Sequence, residues 1–205
     1  MAETSELLDV LGEDGLKTGQ QKDRAAVHRD GDWHRSFHLG IMNPAGLVLF
    51  QRRSDDKAVE PGRIDVSVGG HFAAGEDLSD VLREAEEELG FLPELTDLHQ
   101  LHKRHTERFY DGLTDREFQD VYALLRDAPL ESYQPDCSEV PVLYEVPIDS
   151  AIRLFRDLEP VAVAGWDCQG RHNNALLFED DLIHRARQET VEILGTLKEW
   201  WLQGR

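Results

Sequence analysis

Two hydrophobic periodicities succeed one another along the chain. Residues 36–42 and 47–51 carry the strand-like apolar density of a hairpin, joined by Asn43-Pro44-Ala45-Gly46. Residues 64–68 alternate at period two after a Pro61-Gly62 turn. The period then changes. Leu78, Val81, Leu82, Ala85 and Leu89 recur at helical spacing and predict a helix over 77–89, with Gly90 as its stop. Residues 98–109 and 117–125 read as strands bridged by Asp111-Gly112, and 140–146 as another. Helices are predicted over 148–158, opened by Pro147, and over 178–202. An apolar run at 6–10, a turn at 12–15 and a short helix at 22–29 come first. Strands and helices mix without βαβ alternation, which predicts an α+β fold or a three-layer sandwich on a mixed sheet.

Composition narrows the function. The chain has 205 residues, 40% of them hydrophobic, a size suited to one domain with decorations. Its 41 acidic residues against 22 Lys and Arg give a net charge of −19. Long-range repulsion then argues against a nucleic-acid polymer or an anionic membrane as partner. A small phosphate-bearing substrate would have to arrive with a cation. Cys137 and Cys168 form no CxxC pair and are expected to be unpaired thiols. The acidic first residues lack the basic start and apolar core of a signal peptide, and no apolar run reaches membrane-spanning length. A cytoplasmic location is the expectation.

The chemistry concentrates between Gly69 and Phe91. Glu84, Glu87 and Glu88 sit at i, i+3 and i+4 of the predicted helix, opposite its apolar side. Like charges there destabilise a helix, and its C-terminal end is the unfavourable one for acids. A divalent cation among the carboxylates would reverse both effects. A solvated acidic face is the competing reading. Gly69, Gly70 and Gly75 precede the helix and permit an unusual backbone path beside a ligand.

These residues resemble the Nudix hydrolase box. Arg83-Glu84-Ala85-Glu86-Glu87-Glu88-Leu89-Gly90-Phe91 reproduces its second half in full. Gly70 precedes Glu76 by the family spacing, but the stretch from Glu76 to Arg83 is one residue short, which questions the structural role of Glu76. The resemblance implies an α/β/α sandwich with the box as loop–helix–loop. It implies Glu84 and Glu88 as ligands of Mg²⁺ or Mn²⁺, with Glu87 beside them, and Arg83 as their ion-pair partner. The reaction implied is attack of water on a small diphosphate compound, with Glu87 or Glu117 as candidate base.

The flanks resemble the isopentenyl-diphosphate-isomerase-like branch. The carrying segments are His28, Trp33-His34-Arg35-Ser36-Phe37-His38, Phe50-Gln51-Arg52-Arg53-Ser54, Asp65-Val66-Ser67-Val68-Gly69-Gly70-His71 and Asp115-Arg116-Glu117-Phe118. Isomerases of this kind bind a metal through three histidines and two acids, positions that match His28, His34, His71, Asp115 and Glu117. Their catalytic cysteine matches Gly69, and the box here keeps its glutamates, so a hydrolase is expected rather than an isomerase. A catalytically silent nucleotide-binding domain is a third reading. Arg52, Arg53 and Lys57, with His71, are candidate diphosphate ligands; the cations could equally pair with Asp55 and Asp56. The expected organisation is an N-terminal extension over 1–34, the Nudix domain over 35–160 and a C-terminal helical extension over 161–205. Trp200 and Trp201 on the last helix would either cover the domain or contact a second copy of the chain.

Overall fold

The computed structural model describes residues 6–57, 59–110 and 112–204. A hairpin of β1 (Leu7–Leu11) and β2 (Lys17–Asp23) leads into α1 (Arg24–Asp30), then β3 (Trp33–Met42) and β4 (Leu47–Arg52). The short β5 (Ile64–Asp65) and β6 (Val68–His71) precede α2 (Leu78–Val81) and α3 (Arg83–Leu89). The long strands β7 (Leu98–Tyr110) and β8 (Leu113–Leu125) follow, then β9 (Val142–Pro147) and α4 (Ile148–Asp157). β10 (Val161–Asp167), β11 (Ala175–Leu177) and α5 (Arg187–Gln203) complete the described chain.

β3 is the axis of a mixed sheet. It pairs in parallel with β8 from Trp33↔Arg116 to Met42↔Leu125. Its other edge is shared: Ser36–Leu39 pair antiparallel with β6, and Met42 pairs with Val48 of β4. The predicted 36–51 hairpin therefore keeps a single described rung, and β4 turns away to pair with β9. Phe37, Leu39, Ile41 and Met42 are all buried, as expected for a strand covered on both faces. Phe37, Leu39 and Tyr122 pack against Val81, Leu82, Ala85 and Leu89 of the box helices. On the other face Phe50 and Val146 pack with Phe155 of α4 and with Leu194 and Leu197 of α5. Helices thus cover both faces of the sheet, giving the expected α/β/α sandwich.

Three expectations change. The helix expected over 77–89 is split at Leu82, where Ala85 N–H bonds back only three residues, to the Leu82 carbonyl at 3.0 Å. The helix expected over 178–202 begins only at Arg187, because Leu182 and Ile183 are buried in the core and Leu182 bridges to Ile64. The segment expected to be a helical extension opens with β10 and β11, which continue the sheet beyond β9. α5 covers its own domain. Trp200 stacks on His99 at 5.4 Å, and Trp201 packs so closely on Gly46 (φ +87°) that an added Cβ would meet its ring at 2.7 Å.

The cysteines correct a further expectation. Cys137 and Cys168 are joined in a disulfide, so the argument from unpaired thiols to a reducing compartment falls away. Cys137 lies in the loop whose Gln134 and Asp136 amides bond the Leu89 and Glu88 carbonyls, and the bridge ties that loop to the end of β10. Closing a 31-residue separation restricts the unfolded chain. Cys168→Ser is expected to lower stability by about 2–4 kcal/mol, read by guanidinium unfolding of the oxidised protein. A reduced wild type matching the variant would confirm the source. No described helix is long and apolar enough to cross a membrane.

Candidate active site

The box begins on β6, whose Gly69 and Gly70 lie opposite His38 and Phe37 of β3. A Cβ on Gly70 would fall 2.5 Å from the Glu84 carboxyl carbon, so only glycine lets that carboxylate lie on the strand. Asp77 caps α2 by accepting from the Ser79 and Asp80 amides. Glu76 retains a structural role despite the shortened spacing. It accepts from the Ala73 amide at 2.7 Å and from Arg83 Nε at 2.9 Å, since the break at Leu82 brings Arg83 back to it. Arg83 also reaches Glu84 at 2.5 Å and Glu87 at 3.3 Å. Burial works against its charge, but the bond to Glu76 and the charges of Glu84 and Glu76 hold it above its ordinary range.

Glu88 is buried and Glu84 partly buried, whereas Glu87 is exposed. Burial raises Glu84 to about 7, against the pull of Arg83. Burial and the neighbouring charge of Glu84 raise Glu88 to about 8, against a hydrogen bond from Gln51 Nε2 at 2.9 Å. Two adjacent carboxylates that resist ionisation fit a divalent cation, which supplies the charge they lack. Gly90 (φ +76°) ends the helix in a left-handed turn packed against Gln134.

A second centre lies on the other face of β3. His34 and Glu117 are register partners, with Asp115 two residues before Glu117 on β8. His71 at the end of β6 and His28 on α1 complete the group. The candidate ligand atoms of His28, His34 and His71 lie within 4.8 Å of one another, as do those of His34, Asp115 and Glu117. His28 and His34 point Nε2 at Nε2 across 3.3 Å. His34 Nδ1 lies 3.1 Å from the Asp32 carbonyl; donation there leaves a lone pair on Nε2.

Each acid of this centre divides its oxygens. Asp115 Oδ1 lies 3.7 and 3.8 Å from the His28 and His34 Nε2 atoms, and Glu117 Oε1 lies 3.5 Å from His71 Nε2. Arg108 Nη1 holds the other two oxygens, Asp115 Oδ2 at 3.5 Å and Glu117 Oε2 at 3.1 Å. Burial lowers His28 to about 4 and His71 to about 3, so both rings are neutral. Burial opposes the charge of Glu117, but His71 and Arg108 hold it well below the usual carboxylate range. His71 Nε2 and Asp115 Oδ1 are buried without hydrogen-bond partners. Three imidazole nitrogens and two carboxylate oxygens, arranged by second partners, fit an ion such as Mn²⁺ or Zn²⁺.

The candidate substrate ligands fall differently. Arg52 pairs with Asp55 at 2.7 Å, Arg53 with Asp65 at 3.1 Å, and Lys57 with Glu139. Arg53 Nε is buried and unpartnered. His71 belongs with the second centre, and so does Glu117, where its locked position suits a ligand better than a base. Sequence reasoning missed Gln51, Arg108 and Gln119. The signal was available on β8, where Asp115, Glu117 and Gln119 alternate onto one face.

A glycine-bearing edge strand that feeds a helix of arginine-held carboxylates, within an α/β/α sandwich, defines the Nudix architecture. The NUDIX domain family matches residues 32–160, and the chain belongs to that family. It is 37% identical over 201 residues to Nudix hydrolase 3 of Arabidopsis thaliana, covering 91% of this chain but 24% of that protein. It thus spans about a quarter of that relative's length. An uncharacterised Nudix hydrolase of Clostridium acetobutylicum is 34% identical over 186 residues, 87% of this chain and 90% of that one. An isopentenyl-diphosphate Delta-isomerase of Halorhodospira halophila is 30% identical over 132 residues, 64% and 74% of the two chains. Among solved structures, DR0079 of Deinococcus radiodurans superposes with a TM-score of 0.56 at 26% identity, over 75% of this chain and 91% of that one.

Proposed function

We propose that this chain is a divalent-metal-dependent pyrophosphohydrolase. It cleaves a diphosphate linkage in a nucleoside di- or triphosphate or a related small diphosphate by attack of water. The observation that carries the reading is the neighbouring pair of buried Glu88 and partly buried Glu84, the latter laid against Gly70. Glu84 and Glu88 would hold Mg²⁺ or Mn²⁺, which supplies charge to the phosphoryl oxygens and acidifies water. Arg83 keeps the carboxylates in place through Glu76 and Glu84. Glu87, exposed one turn from Arg83, is free to support a further ion or to take the proton of the attacking water. Arg53 brings an unpaired Nε–H to the diphosphate, and Arg52 and Lys57 can exchange their acidic partners for phosphate oxygens. The diphosphate stands as the sole partner proposed; a homodimer is left to measurement of solution mass.

Phosphate or nucleoside monophosphate release across a diphosphate panel with Mg²⁺ or Mn²⁺ tests this. Wild type should turn over at least one compound, and Glu88→Gln should lose at least about a hundredfold in kcat. Equal inactivity of both on every compound would sink the reading.

A second reading is favoured by one observation, the assembled five-donor centre: allylic isomerisation of isopentenyl diphosphate. Gly69 supplies no thiol for it, although a Cβ there meets only Val66 Cγ2, at 3.8 Å. Wild type is expected to form no dimethylallyl diphosphate from isopentenyl diphosphate. Its formation by wild type, measured by mass spectrometry, would replace the hydrolase reading.

A further inference from the structure

The loop that carries Cys137 joins two parts of the candidate site. On one side the Gln134 and Asp136 amides donate to the Leu89 and Glu88 carbonyls, at 3.0 and 3.3 Å. Carbonyls in the last turn of a helix have no partner within it, so this loop completes the end of α3. On the other side the Glu139 carbonyl accepts from the Ser54 amide at 2.9 Å, and the Glu139 carboxylate pairs with Lys57. The box acid Glu88 and the cations that follow β4 are thus held by one short span.

That span adds little to the core. Asp136, Cys137 and Ser138 are exposed and Glu139 is half-buried, between the buried Pro135 and Val140. Its covalent tie is the Cys137–Cys168 bridge to the end of β10. Exposed disulfides are the labile and regulatory ones, because a thiolate must reach a sulfur to attack it. Cys137 is the more exposed end of this bridge. Cys168 is half-buried and borders a groove of about 360 Å³ walled by Tyr133 and Trp166, which gives a released thiol room to turn away.

We propose that the Cys137–Cys168 bridge is a reversible redox site that controls the box through this loop. The co-reactant is a dithiol. One of its thiolates attacks Cys137 Sγ, the bond to Cys168 Sγ breaks, and Cys168 leaves as a thiolate and takes up a proton. The second thiol of the reductant then displaces Cys137 from the mixed disulfide. The dithiol gives up two electrons and two protons as it becomes a disulfide, and both cysteines end as thiols. Reduction removes the constraint that keeps the loop on α3. Ser54 and Lys57 lose their register with Glu88, and turnover falls. That loss of turnover rests on the hydrolase reading, whereas release of the loop does not.

Dithiothreitol should open the bridge in the folded protein, without denaturant. With glutathione instead, quenched by iodoacetamide, peptide mass spectrometry should find the mixed disulfide on Cys137 and the alkylated thiol on Cys168. In the reduced protein the Gln134, Asp136 and Ser54 amides should exchange hydrogen roughly ten- to a hundredfold faster, while those of β3 and β8 keep their protection. On a diphosphate that wild type hydrolyses, kcat/KM should fall roughly tenfold or more and recover on reoxidation. Cys168→Ser should match the reduced chain in both readouts and ignore dithiothreitol; should it fail to fold, the reduced and reoxidised wild type carries the test. A bridge that opens only in denaturant, an adduct on Cys168, or exchange or kcat/KM unmoved by reduction would overturn the proposal. So would protection lost throughout the sheet, which would make the bridge a staple of the whole fold. The exchange pattern without turnover on any diphosphate removes the hydrolase reading and leaves the redox site. Turnover with exchange unmoved by reduction removes the redox site and leaves the hydrolase reading.

Discussion

Replacing Glu88 with glutamine is expected to stabilise the metal-free protein at neutral pH while abolishing its metal-dependent turnover. Glu88 is buried beside Glu84 and titrates near 8 instead of 4.5. Between these values the folded chain binds more protons than the unfolded one, so metal-free stability falls as pH rises through the window. Each unit corresponds to 1.36 kcal/mol, so an ionisable Glu88 costs about 3 kcal/mol at pH 7. Near pH 4.5 the acid is protonated in both states, and glutamine, close to it in shape, should change little. The melting temperatures of wild type and Glu88→Gln in EDTA should therefore converge towards pH 4.5 and separate towards pH 8, with the variant higher. Saturating Mg²⁺ should raise only the wild type, because an ion that binds the folded state alone stabilises it. A variant less stable than wild type at pH 8 in EDTA would show that the Gln51 hydrogen bond, not desolvation, dominates at this position.

The same position shows why the box was legible and the rest less so. Glu84, Glu87 and Glu88 lie within two turns of one helix, so their shared face follows from spacing. Even the break at Leu82 had a signal, in the residue missing between Glu76 and Arg83. The histidine centre is different. Its five donors come from α1, β3, β6 and β8, and no local period connects residue 28 to residue 117. Only the resemblance brought them together, and the register of β3 with β8 is what realises it. Arg108 was unreadable because a polar residue on a long strand looks alike whether it faces water or a carboxylate, whereas Gln119 shared the alternation of Asp115 and Glu117. Leu182 and Ile183 misled for the opposite reason. They fit a helical stripe, but their burial is against Ile64 in a non-helical segment. The β10 strand was missed because Ala162, Ala164 and Gly165 dilute the strand preference of Val161, Val163 and Trp166, and pairing with β9 decides the conformation. The disulfide joins two cysteines with no spacing signal, brought together by the packing of the loop before β9 on the end of β10.

The two centres should separate by pH. An ion at the box competes with protons on Glu84 and Glu88, which hold them to about 7 and 8. Its affinity should rise as pH rises and weaken as pH falls below 8. At the histidine centre, His28 and His71 are neutral down to about 4 and 3, and Glu117 stays ionised well below the usual range. Burial and the charge of Glu117 push Asp115 up, an effect that a bound cation would reverse. Few protons therefore stand between this centre and an ion at pH 6. Protein loaded with Mn²⁺ at pH 8.5 and desalted should hold about two ions per chain, falling to about one at pH 6, counted by elemental analysis. His34→Ala, which removes the nitrogen facing both acids, should lose the ion that persists at pH 6. Arg108→Met should weaken it roughly ten- to a hundredfold by releasing the outer carboxylate oxygens. Glu88→Gln should lose only the pH-sensitive ion. A His34→Ala protein that keeps its ion at pH 6 would show that the histidines and acids do not form a metal centre. It would leave Mg²⁺ or Mn²⁺ at the box as the single metal requirement.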